Sequence, residues 1–212
     1  MPSTSTFRDF ALTHRPRDWD YPAVVLIVHA GNRIDAPGRA EDRFPRSQVS
    51  AVAERIGRLF DALQPTGVVS APAAGSDLIV LDQARRRDIP LHVVLPIEAD
   101  EFVRVSVADQ GPEWLDTYRA VIDHAESDWR STLFQIAKGE RDEWYLEAND
   151  DVLERAAAIA GDELLVALTV RPPAGEHPPS TTDHFADRAG RAGLIVVSVD
   201  PRPGATAPIS SG

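Results

Sequence analysis

GVVSAPAAGSDLIVLDQARRRDIPLHVVLP, the stretch from Gly67 to Pro96, decides the fold. Val68 and Val69 form a short β-branched run, and the small residues Ser70 to Gly75 follow it. Ser76 and Asp77 then open a helical pattern that closes before Ile89 and Pro90. Leu91, Val93, Val94 and Leu95 make a second apolar run, stopped by Pro96. Two buried strands around one crossover helix in about 30 residues is the size of a βαβ unit, so the strands are expected to run parallel. The turn Ala71-Pro72-Ala73-Ala74-Gly75 leaves backbone uncovered at the carboxyl end of a strand, where open α/β sheets bind ligands. Ser76 or Asp77 is expected to cap the helix, whose free N–H groups suit a phosphate or another anion. The same small residues also suit a close strand–helix corner, with Asp77 as no more than a cap.

Toward the amino terminus, Ala23 to Val28 (AVVLIV) is short and β-branched, as in a central strand covered on both faces. It ends in His29-Ala30-Gly31-Asn32-Arg33-Ile34-Asp35, a second small turn with a cation. Gly31 would let the backbone approach a ligand, Arg33 offers a forked donor, and Asp35 offers an acceptor for a ribose hydroxyl. The competing reading makes Arg33 and Asp35 a surface ion pair and His29 a satisfied imidazole at the core's edge. After the charged loop 36–46, Ser47 is a plausible cap for a helix whose apolar face is Val49, Val52, Ile56, Leu59, Phe60 and Leu63. Residues 1–22 read as an arm whose Phe7, Phe10, Leu12, Trp19 and Tyr21 are expected to dock on the domain.

Toward the carboxyl terminus, Asp100, Glu101 and Arg104 follow the strand ending at Leu95 and so face the same crevice; alternatively Asp100 and Glu101 start a short helix and favour its dipole. Pro112 opens a helix bearing Trp114, Leu115, Tyr118, Val121, Ile122 and Ala125. Residues 126–143 read as a covering loop with a helical turn, anchored by Trp129, Leu133, Phe134 and Ile136. A helix over 144–160, a fourth strand at 164–170, a helix opened through Thr182 or Asp183 and a fifth strand at 194–199 complete the pattern. The tail 201–212 is expected to be flexible.

Composition narrows the function. A formal charge of -11 over 212 residues, with no basic cluster, argues against polymeric nucleic acid as a partner. The absence of cysteine removes disulfides, thiolate nucleophiles and zinc–thiolate sites. His14, His29, His92, His124, His177 and His184 lie on separate elements without ligand spacing, so no metal and no cofactor are expected. No run has the length of a membrane span, which makes a soluble cytoplasmic protein without a membrane partner the expectation.

The run from Val24 to Val107, with HAGNRIDAPGR, SAPAAGSDLIVLDQARRR, LHVVLP and EADEFVRVSV, resembles the SLOG superfamily of Rossmann-like nucleotide-binding domains, which includes DprA-like, LOG-like and TIR-like members. The likeness reaches Tyr145 and Asn149 and the loop before the last helix, and so spans residues 23–200 as one domain. It implies an α/β, Rossmann-like three-layer sandwich of about five mainly parallel strands with helices on both faces. It also implies a nucleotide or nucleotide-derived ligand at the carboxyl edge of the sheet. The ligand-binding residues would be Ala30, Gly31, Asn32 and Arg33 on the first loop, and Ala74, Gly75, Ser76 and Asp77 on the second. Glu101 and Arg104 would follow the third strand, Tyr145 and Asn149 would sit on a closing helix, and Ser180 and Thr181 on the last loop. Relatives carry glycines and a threonine at that last loop; this chain has Pro178-Pro179-Ser180-Thr181-Thr182-Asp183, and proline donates no N–H to a phosphate. LOG-like enzymes cleave an N-glycosidic bond with a Gly-Gly-x-Gly-Thr loop and a glutamate that are missing here. Only Asp77, Asp100 and Glu101 stand as catalytic candidates. The preferred expectation is a ligand-sensing domain. A nucleoside-monophosphate glycosidase or transferase is the alternative, and a non-binding interaction module with a decayed pocket the third reading. Dimers are common among such relatives, so the likeness implies a homodimer or a signalling partner.

Overall fold

The computed structural model describes residues 24–36, 38–136, 144–205 and 209–211, with the backbone alone for 144–145 and 209–211. Along them run β1 (Val25–Gly31), α1 (Val49–Leu63), β2 (Gly67–Ser70), α2 (Ser76–Arg85), β3 (Leu91–Leu95), α3 (Ala99–Ser106) and α4 (Pro112–Ser127). There follow β4 (Thr132–Gln135), α5 (Trp144–Ala160), β5 (Leu164–Val170), α6 (Thr181–Arg191), β6 (Ile195–Val199) and β7 (Ile209–Ser211). The expected docking of the arm 1–22 falls outside the described residues.

The strands form one sheet in the order β4-β3-β2-β1-β5-β6-β7, parallel throughout except for β7. Alternation along each strand feeds two cores. Val25, Ile27, Val68, Leu91, Val93, Val166 and Leu168 pack with α1, α2 and α4 on one face. Leu26, Val28, Val69, Val94, Ala167 and Val196 pack with α5 and α6 on the other. The chain is thus a Rossmann-like three-layer α/β sandwich. β1 sends its chain through α1 toward β2, whereas its other neighbour, β5, sends its chain through α6 toward β6. That reversal of direction between two adjacent parallel strands opens a crevice at their carboxyl ends.

Two strands go beyond the five expected. β4 lies within residues 126–143, where a covering loop was expected. Asp128 builds the turn that delivers it: its carboxylate accepts from Arg130 N at 3.1 Å, Arg130 Nε at 3.0 Å and Ser131 Oγ at 3.0 Å. The Arg130 guanidinium is the main reason that its pKa is lowered to about 2. Ser131 Oγ then accepts from Leu91 N at 2.9 Å, which fixes β4 beside β3. Across the strand, the Arg155 guanidinium of α5 stands 5.0 Å from the centre of the Phe134 ring. At the other edge β7 pairs antiparallel with β6, Ser198 opposite Ile209, in the tail expected to be flexible. An uncovered strand edge leaves N–H and C=O groups unpaired, and β7 occupies that edge. The chain leading to it is held as well, since Arg55 donates to the carbonyls of Asp200 and Ala205 at 2.6 and 3.2 Å.

His92 in β3 is buried against Gly67, whose missing Cβ leaves room for the ring, and its Nδ1 lies 2.8 Å from Thr132 Oγ1. Burial lowers its pKa from the ordinary 6.5, only partly opposed by Glu163 and Asp128. The unfolded chain therefore takes up this proton before the folded one does. The stability involved is fully present above pH 6.5 and is lost as pH falls from there toward the folded-state value. Urea midpoints measured at pH 7.5 and 5.5 are expected to fall further for the wild type than for His92→Gln; equal falls would exclude His92 as the source.

Candidate functional site

The carboxyl ends of β1, β2 and β3 open onto a cavity of about 490 Å³, within the range of roughly 300–1,000 Å³ typical of small-molecule sites. Arg33, Asp77 and Glu101, 68 residues apart in sequence from first to last, line it together because the strands that precede them lie side by side and run in the same direction. Asn149 of α5 and Thr181 and Thr182 of α6 face them from the opposite layer, and Ala30 and Gly31 line it from the end of β1. Between these polar groups the walls are apolar, with Pro96, Phe102, Val105 and Val152 the larger members.

Asp77 does not cap its own helix; Gly75 holds the N-cap position of α2, and no side chain bonds there. The Asp77 carboxylate instead reaches across to β1. Its Oδ1 accepts from Gly31 N at 3.1 Å and from Ser76 Oγ at 3.3 Å. His29 is fully buried beside it. Its Nδ1 lies 2.8 Å from the Leu168 carbonyl and must donate, since a carbonyl only accepts. Its Nε2 stands 3.2 Å from Asp77 Oδ1 but off the line of a hydrogen bond. The imidazole is thus tied to β5 on one side and turned to the carboxylate on the other. The α2 terminus is not an open anion cradle, because Ser76 N, Leu78 N and Ile79 N already donate to the carbonyls of Asn32, Ala73 and Gly75. Three of the N–H groups expected to suit a phosphate or another anion are thus taken by backbone carbonyls.

The two glycines serve contact between loops. A Cβ on Gly31 would run into Ser76 Oγ and lie 2.8 Å from Ser76 Cβ. Gly75, at φ +122°, forms a bridge with Arg33 so close that a Cβ would sit 2.8 Å from Arg33 Cα and 2.9 Å from Asn32 O. Gly31 still lines the cavity, but Ala74, Gly75 and Ser76 are not among its lining residues, and each is packed into the joint. Gly31 was expected to let the backbone approach a ligand; it and Gly75 bring the two loops against each other, and the cavity lies beside the joint.

Other expected ligand contacts also have structural work. Asn32 is buried beneath the cavity, its Oδ1 accepting from Thr182 Oγ1 at 3.0 Å and its N–H bonding the Val170 carbonyl. Asp35 Oδ2 accepts from the backbone of Arg43 and Phe44 at 2.9 and 2.8 Å, so it shapes the following loop and does not await a ribose. Arg104 pairs with Glu101 through two hydrogen bonds and does not line the cavity itself; that pairing holds Glu101 below the usual carboxylate range. Arg33 reaches Asp109 Oδ1 at 2.5 Å. Ser180 is the N-cap of α6 in a reciprocal bond with Asp183, which takes its hydroxyl away from any ligand. Asp100 is not a lining residue, and the side chain of Tyr145 lies outside the described residues. Phe102, Ser106 and Val152 line the site although their sequence context marks them only as core or helix positions, and His29 and Thr182 line it as well.

No protein-family model matches the chain, and no curated protein matches it.

Proposed function

We propose that the chain is a SLOG-like ligand-sensing domain that binds a nucleotide or a nucleotide-derived small molecule in this cavity and reports its occupancy to a partner. The observation that carries the reading is the convergence of Arg33, Asp77 and Glu101 from three successive strands on one cavity, faced by Asn149 and Thr181. Apolar walls of this breadth suit the flat faces of a base, and the polar groups suit its sugar. Binding is favoured over glycosidic cleavage. One oxygen of Asp77 is held by Gly31 and Ser76, and both oxygens of Glu101 are held by Arg104. Asp77 keeps its second oxygen open, but glycosidic cleavage by the usual route needs a pair of carboxyl groups, and the lining offers Asp77 no free partner.

Thermal denaturation against a panel of nucleosides and nucleotides tests the reading. A ligand at 100 times its Kd adds about 2.7 kcal/mol, or roughly 5–10 °C for a domain of this size. Ala148→Trp places an indole into the cavity from α5 and is expected to fold while abolishing the shift. A panel that moves no melting temperature would remove the proposal, and release of free base seen by chromatography would replace it with the cleavage reading.

A further inference from the structure

Among the charged side chains of the cavity, Asp77 is the most enclosed, at 12% exposure against 39% for Arg33 and 48% for Glu101. Its Oδ1 is saturated by Gly31 N and Ser76 Oγ, whereas Oδ2 takes no hydrogen bond from the described residues. Asn149 repeats the pattern from the opposite layer. Its Nδ2 donates to the Thr181 carbonyl at 2.8 Å, which fixes the amide's orientation, and leaves Oδ1 without a bond from the described residues. Two acceptors thus stand open in a cavity whose lining holds two carboxylates and one guanidinium, the latter already engaged with Asp109. A phosphate group brought to the inner acceptors would meet like charge with no counter-ion. The donor-bearing part of a nucleotide has no such conflict.

We infer that the ligand enters sugar first, with a vicinal ribose diol donating to Asp77 Oδ2 and Asn149 Oδ1 and any phosphate held outward, at the more exposed rim of the cavity. This rests on the nucleotide reading above and gives that reading a direction. The base then lies along Phe102, Val105 and Val152, where its faces find apolar contact. The site selects ribose over dideoxyribose and tolerates few phosphates.

Calorimetric titration of the full chain with the four nucleoside 5′-monophosphates, their 2′,3′-dideoxy counterparts and ribose 5-phosphate tests this. The ribo forms are expected to bind about 10- to 100-fold more tightly than the dideoxy forms, the worth of a hydrogen bond to a charged acceptor. Asp77→Asn keeps an acceptor for Gly31 N and Ser76 Oγ but turns an amide donor to the cavity. It is expected to erase the preference without loss of folding. Equal affinity of ribo and dideoxy forms in the wild type would overturn the inference and leave the nucleotide reading in place. Binding of ribose 5-phosphate alone would keep the diol and remove the nucleotide, and absence of heat in every titration would remove both.

Discussion

Gly75→Ala is expected to lower the melting temperature by roughly 4–24 °C. Two costs combine. At φ +122° an L side chain is strained whatever the space around it, which is worth about 1–3 kcal/mol. The added Cβ also meets backbone at 2.8 Å from Arg33 Cα and 2.9 Å from both Asn32 O and Ile34 N, and backbone cannot rotate away as a side chain can. Overpacking of this kind costs about 1–3 kcal/mol more. Gly161→Ala is the control: it too has a positive φ, of 54°, but its Cβ meets nothing within 4 Å, so only the strain remains. If the two variants melt together, the joint between the loops does not carry the stability assigned to it.

Asp77→Ala is expected to cost about 2–5 kcal/mol, and Asp77→Asn far less. The alanine leaves Gly31 N and Ser76 Oγ without their acceptor and His29 Nε2 facing a void, in a place where water reaches only from the cavity. A buried donor stripped of its partner costs about 1–3 kcal/mol, and more than one is stripped here. The asparagine still offers an oxygen to both donors. Chemical denaturation of the two variants separates the roles: equal, small losses would mean that Asp77 is a ligand residue without structural duty, contrary to the geometry.

The parallel sheet was legible because β1, β2, β3, β5 and β6 are buried on both faces and so read as continuous β-branched runs with helical patterns between them. β4 was not, since its residues are half-buried and it is aligned by Asp128, Ser131 and Arg155, contacts that leave no periodic trace in the sequence. β7 escaped notice for a similar reason: an edge strand of three residues needs pairing with β6 more than it needs apolar side chains. The site was legible as a region, because parallel strands deliver their following loops to one end of the sheet. Individual roles were not. Gly31 and Gly75 meet each other's loops, Asp77 bonds backward to β1, and Ser180 is consumed by Asp183, all of which depend on partners 3 to 46 residues away. His29 carried only a weak signal, a polar residue at the end of a strand otherwise apolar.

The cavity draws one wall from each helical layer, Phe102 and Val105 from α3 on one side and Asn149 and Val152 from α5 on the other. Over most of the sheet the strands stand between those layers. A molecule lodged there would act as a clasp, adding a fastening across the sheet's end, so the grip of a small ligand would be felt by both outer shells at once.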